Sequence, residues 1–265
     1  MTKKKWSKMS KSHLCKLIYR SALFLSAIIY YAIFLVLGGN YRNGNILFAD
    51  IGEIPVFLIL MALVFGGEMV FRFFPNKHEA QGSKKMFKAT YKPTENKKPE
   101  TMHWARTLLV FGAWALLNIT FGILYITGIF TADILVLISL AYSVCDLICI
   151  MFFCPFQAWM MKNKCCTTCR IYNWDYIMMF TPFLFLIAKP KPVLHYVLLA
   201  LALLVLLIWE ITYKKHPERF AENTNEQLSC KSCTEKTCHH NKLFPCKQAL
   251  LKLQEDEKEK TKIEK

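Results

Sequence analysis

Apolar positions in this chain gather into runs, and polar positions gather into blocks between them. The runs fall at residues 18–37, 54–74, 104–126, 132–153, 172–188 and 193–213. At about 1.5 Å of rise per residue, roughly 20 helical residues cross a hydrocarbon core of roughly 30 Å. All but one run meet that length once tilt and snorkelling ends are allowed for. The exception, 172–188, is short and carries Pro182. It reads as a span if Trp174 and Tyr176 sit at headgroup level, and otherwise as a re-entrant segment. The pattern predicts an all-α polytopic membrane protein, a bundle of six transmembrane helices or five if the fifth is re-entrant. Residues 1–213 form that domain, interrupted by a polar linker at 75–103. Residues 214–265 form a small Cys-rich tail that ends in a charged helix.

Composition adds little by itself. A hydrophobic share of 54% suits many soluble domains, so the clustering carries the argument. The linker holds Gly82, Pro93 and Pro99 and reads as mobile, with an interfacial helix around residues 86–91. In the tail, residues 218–227 have helical composition. The run at 21–37 is too long for the core of a cleavable signal and reads as a retained first helix.

Charge sets the orientation. Basic residues favour the cytoplasmic side. They crowd the N-terminus from Lys3 to Arg20, the linker, and the loop with Lys162, Lys164 and Arg170. The loop after the first run has Arg42 against Asp50 and Glu53. Six crossings therefore place every strongly basic segment and both termini in the cytoplasm, with the plasma membrane as the expected location. Topology and anionic lipid headgroups account for the formal net charge of +15, and no nucleic-acid partner is expected. A cytoplasmic protein partner is.

The 11 cysteines then change the picture. Cys165, Cys166 and Cys169 follow the fourth run, with Cys154 at its end. Cys230, Cys233, Cys238 and Cys246 lie in the tail beside His239 and His240. On the six-span reading both groups face a reducing compartment, where metal ligation is favoured over disulfides. A C-x2-C turn brings Cys230 and Cys233 to one metal, and Cys238 with Cys246, or a histidine, completes a tetrahedron at about 2.3 Å for zinc. Zinc is the expected metal and an iron–sulfur cluster the alternative. Cys165, Cys166, Cys169 and His239 are secondary ligand candidates. Cys145 and Cys149, one turn apart, read as packing residues. No histidine is mid-span, so no haem is expected.

Three ionisable groups lie within the runs: Glu68, Arg72 and Asp146. Glu68 and Asp146 sit at similar depth, where a lipid-exposed carboxylate costs about 2.5–3.5 kcal/mol. They are expected to face inward, either as an ion or proton relay or as helix-registering groups, with Glu68 paired to Arg72 at i, i+4. Glu210 and Asp175 read as interfacial. The leading functional expectation is a non-enzymatic membrane protein with a Cys-ligated metal module for docking or sensing. A membrane oxidoreductase with an iron–sulfur centre and a transporter using Glu68 and Asp146 are the alternatives. The stretch from Cys165 to Pro182, in which Arg170, Asn173, Trp174 and Asp175 follow the thiols, is expected to dock against the tail.

Overall fold

A computed structural model describes residues 7–37, 47–48, 55–75, 79–95, 98–100, 104–163, 165–188, 192–229 and 231–235. Helix α1 is Lys8–Val36. Ser7 caps it, its hydroxyl accepting from the Ser10 N–H at 3.0 Å, a contact worth about 1 kcal/mol. Helix α2 is Val56–Phe71, with a π-helical turn at Ala62–Gly66. Helix α3 is Trp104–Ile126 and α4 is Ala132–Met151, the latter capped by the Thr131 hydroxyl. Helix α5 is Asp175–Phe180, which tightens into a 3-10 segment at Thr181–Leu186. Pro182 lacks the N–H that an α-helix would use there. Helix α6 is Leu194–Lys215, and His216-Pro217 stops it.

Four of these, α1, α3, α4 and α6, are long and apolar enough to cross a membrane. Six helices of that length are not found among the described residues. Helix α2 is about 24 Å long, and α5 with its 3-10 end about 21 Å, both short of a roughly 30 Å core.

Polarity is distributed as lipid demands rather than water. Leu109, Leu116, Ile119 and Ile123 of α3 and Leu25, Ile29 and Ile33 of α1 are exposed, while Arg20, Arg72, Asn118, Ser139, Ser143 and Asp175 are buried. A soluble domain rarely leaves so continuous an apolar face uncovered. The core between helices is apolar too. Phe65 meets Phe180 edge-on with centroids 5.7 Å apart, and Phe180 stacks on Phe183 at 5.6 Å.

At one end of the bundle, the Asp133 carboxylate accepts the N–H groups of Leu47 and Phe48, each at 2.8 Å. At the other end, linker and tail fold together into a cap. The Glu226 N–H donates to the Lys92 carbonyl at 2.9 Å, the Thr94 hydroxyl donates to the Asn223 carbonyl at 2.5 Å, and Phe220 packs edge-on against Trp209 at 4.8 Å. The expected mobile linker is thus packed over residues 79–95. In place of an interfacial helix at 86–91 there are one helical turn at Gln81–Lys84 and a 3-10 turn at Lys88–Thr90. The tail likewise forms short 3-10 turns, Pro217–Arg219 and Glu226–Leu228, rather than a helix over 218–227. The charged helix expected at the C-terminus lies outside the described residues.

Candidate functional site

Buried ion pairs hold the cap end of the bundle. Arg20 of α1 donates from Nη2 to Glu68 Oε2 at 2.5 Å, and from Nη1 to Asp146 Oδ2 at 3.2 Å and the Ser143 carbonyl at 3.0 Å. Tyr176 donates its hydroxyl to Glu68 at 2.8 Å, Tyr19 donates to the same carboxylate, and Lys16 lies 3.7 Å away. One guanidinium therefore ties α1 to α2 and α4. Such groups tolerate burial only with partners on nearly every polar atom. The expected Glu68–Arg72 pairing within α2 is not the one formed. Arg72 stands at the C-terminal end of α2, where its side chain reaches Asp175 Oδ2 at 2.5 Å and Asn173 Oδ1 at 2.8 Å, while Glu68 faces α1. Arg72 also lies over the Tyr176 ring at 4.6 Å.

A third cluster anchors α6. Arg170 makes a forked pair with Glu210, and Trp174 Nε1 donates to the same carboxylate at 2.8 Å. Arg170 lies 3.7 Å above the Tyr213 ring. Asp175 and Glu210, read from sequence as interfacial, are thus both structural ion-pair partners, and Asp175 is buried.

One buried acid anchors the end of the described tail. Glu235 is 1% exposed. Its Oε1 accepts from the Gln81 N–H at 2.6 Å, its Oε2 from the Thr167 hydroxyl at 3.5 Å, and its carbonyl from the hydroxyls of Ser7 and Ser10 at 2.9 and 2.7 Å. Burial raises its pKa against the opposing pull of the Gly82 and Gln81 N–H groups. N-terminus, linker, Cys loop and tail meet at this residue. Lys85 lies beside it, donating to the Cys169 carbonyl at 2.9 Å among the rings of Tyr172, Trp209 and Phe220. Burial pushes its pKa down to about 8. Of the expected docking of the Cys loop stretch against the tail, Thr167 makes a contact with Glu235, whereas Arg170 and Trp174 pair with Glu210 and Asn173 and Asp175 with Arg72.

A cavity of about 130 Å³ lies between α3, α4, α5 and the Cys loop. Cys145, Cys149, Cys154, Cys166 and Cys169 line it, with Asp146 and Asp175. The Gln157 N–H donates to the Cys154 sulfur at 3.3 Å, and the Cys166 thiol donates to the Cys149 carbonyl at 3.7 Å. The neighbouring Cys149 and Cys166 thiols, with backbone N–H groups, hold the Cys154 pKa below the ordinary thiol range. The neighbouring Cys154 sulfur, with burial, pushes Cys166 up, and burial, ahead of the neighbouring sulfurs, raises Cys169 to about 11. The arrangement is one sulfur able to carry negative charge beside thiols that keep their protons.

Of the residues singled out by sequence, Glu68, Arg72 and Asp146 lie in the ion-pair clusters. Cys166 and Cys169 line the cavity, and Cys165 stands 3.7 Å from Thr168 Oγ1. Cys233 is half-buried in the docked tail. Cys230, Cys238, His239 and Cys246 lie outside the described residues. Among the described residues, no group of three or more His, Cys, Asp or Glu side chains is arranged to hold a metal. Cys149 is a cavity wall rather than core packing, and Cys145 is exposed. Sequence reading counted Arg20 only as an orienting charge and passed over Glu235 and Arg170 as anchors. For Arg20 a signal existed, since it falls inside the run at 18–37 and an intramembrane arginine requires a partner.

No protein-family model, no curated protein and no solved structure matches this chain. Fold and exposed apolar faces together make it a candidate multi-pass membrane protein built on four long helices.

Proposed function

We propose that the chain crosses the membrane six times, α2 and α5 included, with both termini in the cytoplasm, and that its cap is a docking or sensing module. In this reading Cys230, Cys233, Cys238 and Cys246 hold zinc, with His239 as a substitute ligand, and a cytoplasmic protein engages the cap. The burial of Glu235 against Gln81 and Thr167 carries the proposal, because it brings the tail up to the Cys loop. A metal that organises the remaining tail would be felt directly by the bundle through that contact. The short lengths of α2 and α5 are accommodated by polar flanks, Arg72 and Trp174 among them, and by local thinning of the bilayer. Basic residues around the cap suit anionic headgroups. Arg20, shared between Glu68 and Asp146, favours a structural role for these acids over ion transport.

Elemental analysis of anaerobically purified protein tests the module. The wild type is expected to carry about one zinc per chain, lost in the Cys230→Ser/Cys233→Ser variant. Equal metal content in the two proteins would remove the proposal. Iron with visible absorbance would replace zinc by a cluster.

A further inference from the structure

We infer that Cys154, with Cys166 and Cys149 as exchange partners, is the centre of a dithiol–quinone redox site in the thiol-lined cavity. It stands apart from the tail metal proposed above. First, the thiols share one cavity: Cys149, Cys154 and Cys166 all line it, and Cys166 Sγ lies 3.7 Å from the Cys149 carbonyl. A disulfide from Cys154 to Cys166 would join the end of α4 to the Cys loop, and none of these thiols is fully buried.

Second, the space beside them suits a flat apolar molecule. Trp114 stacks obliquely on Tyr142 at 4.5 Å and edge-on to Phe156 at 6.0 Å, forming an aromatic wall of the cavity. A cavity of roughly 150 Å³ with apolar walls takes a benzene ring. This one, at about 130 Å³ and partly open, is of the size that admits one ring, with substituents and tail in its open mouth. It lies among helices with lipid-suited faces, so the ligand class is a two-electron carrier dissolved in the membrane, a quinone.

Third, protons have a route. Asp146 and Tyr172 line both this cavity and a second of about 20 Å³, which also touches His13. Both ring nitrogens of His13 and the Tyr172 hydroxyl are buried there with no protein partner. A pocket of that size holds a water, which would satisfy these groups and link Asp146 to the cap.

The step balances as follows. The Cys154 thiolate and the Cys166 thiol lose two electrons and one proton, and an S–S bond forms between them. The quinone takes the two electrons, the Cys166 proton and one further proton delivered by way of Asp146, and leaves as quinol. Two low-molecular-weight thiols from the aqueous side then return the dithiol, leaving as their own disulfide.

The test is a single turnover of pre-reduced, full-length protein in nanodiscs with duroquinone, whose fully substituted ring blocks thiol addition. Two thiols are expected to disappear per quinol formed, with a Cys154–Cys166 linkage in the non-reduced peptide map. Cys154→Ser abolishes both changes, Cys166→Ser diverts the linkage to Cys149–Cys154, and Cys230→Ser/Cys233→Ser changes nothing. An unchanged thiol count in the wild type, equal thiol loss in Cys154→Ser, or a linkage that excludes Cys154 would each overturn the proposal. The intact Cys165→Ser variant, expected to react as wild type, separates a specific site from general oxidation.

Discussion

Arg20 is 1% exposed, and Glu68 and Asp146 share its guanidinium from two different helices. Removing it leaves Asp146 without its guanidinium and Glu68 with only the more distant Lys16. Arg20→Met is therefore expected to lower stability by roughly 3–5 kcal/mol, and adding Glu68→Gln to recover part of the loss, measured by denaturation in detergent. Lys85 makes a different prediction. Its folded pKa of about 8 lies below the ordinary 10.5, so between those values the unfolded chain binds more protons. Stability contributed by this site rises with pH across that window, by on the order of 3 kcal/mol. Melting curves at pH 7.5 and 9.5 should show a gain that Lys85→Met lacks. The inward facing of Glu68 and Asp146 was legible in the sequence, because desolvation forbids the alternative. Their partner was not, because Arg20 meets them only when three helices pack.

At the level of elements, the long helices were the most legible part. The run at 104–126 coincides with α3, and the run at 132–153 overruns α4 by two residues. Their periodic apolar content decides them without tertiary help. Helix α1 starts earlier than its run because Ser7 caps it, Ser10 donates to the Glu235 carbonyl of the tail, and His13 is buried. The cap was illegible for the opposite reason: its turns are held by partners more than a hundred residues apart, such as Thr94 with Asn223 and Gln81 with Glu235. Helix packing rests on small residues at close approach. A Cβ on Gly122 would stand 2.2 Å from Phe185, whose ring is wedged between α3 and the 3-10 segment. Gly122→Ala should cost about 1–3 kcal/mol and loosen α3, whereas Gly112→Ala, with open space around it, should be neutral in the same thermal assay.

For the whole molecule, the cap couples the last described residues to the first. Glu235 is the joint, and its raised pKa means that a neutral group is no worse there than a carboxylate. Glu235→Gln retains an oxygen for the Gln81 N–H and is expected to protect the tail from limited proteolysis as well as wild type. Glu235→Ala should expose the tail to cleavage within the 216–235 segment. The thiol cavity was half legible: the clustering of Cys165, Cys166 and Cys169 marked the loop, but Cys149 and Cys154 joined it only through the turn after α4.

Central to the account is the proposal that N-terminus, linker, Cys loop and tail, which meet at Glu235, lie on the cytoplasmic side of a bundle with six crossings. A protease-cleavable tag placed after Lys265 examines this most directly, in intact cells and in inverted membrane vesicles. The account predicts cleavage in inverted vesicles alone; cleavage from the outside of intact cells would contradict it.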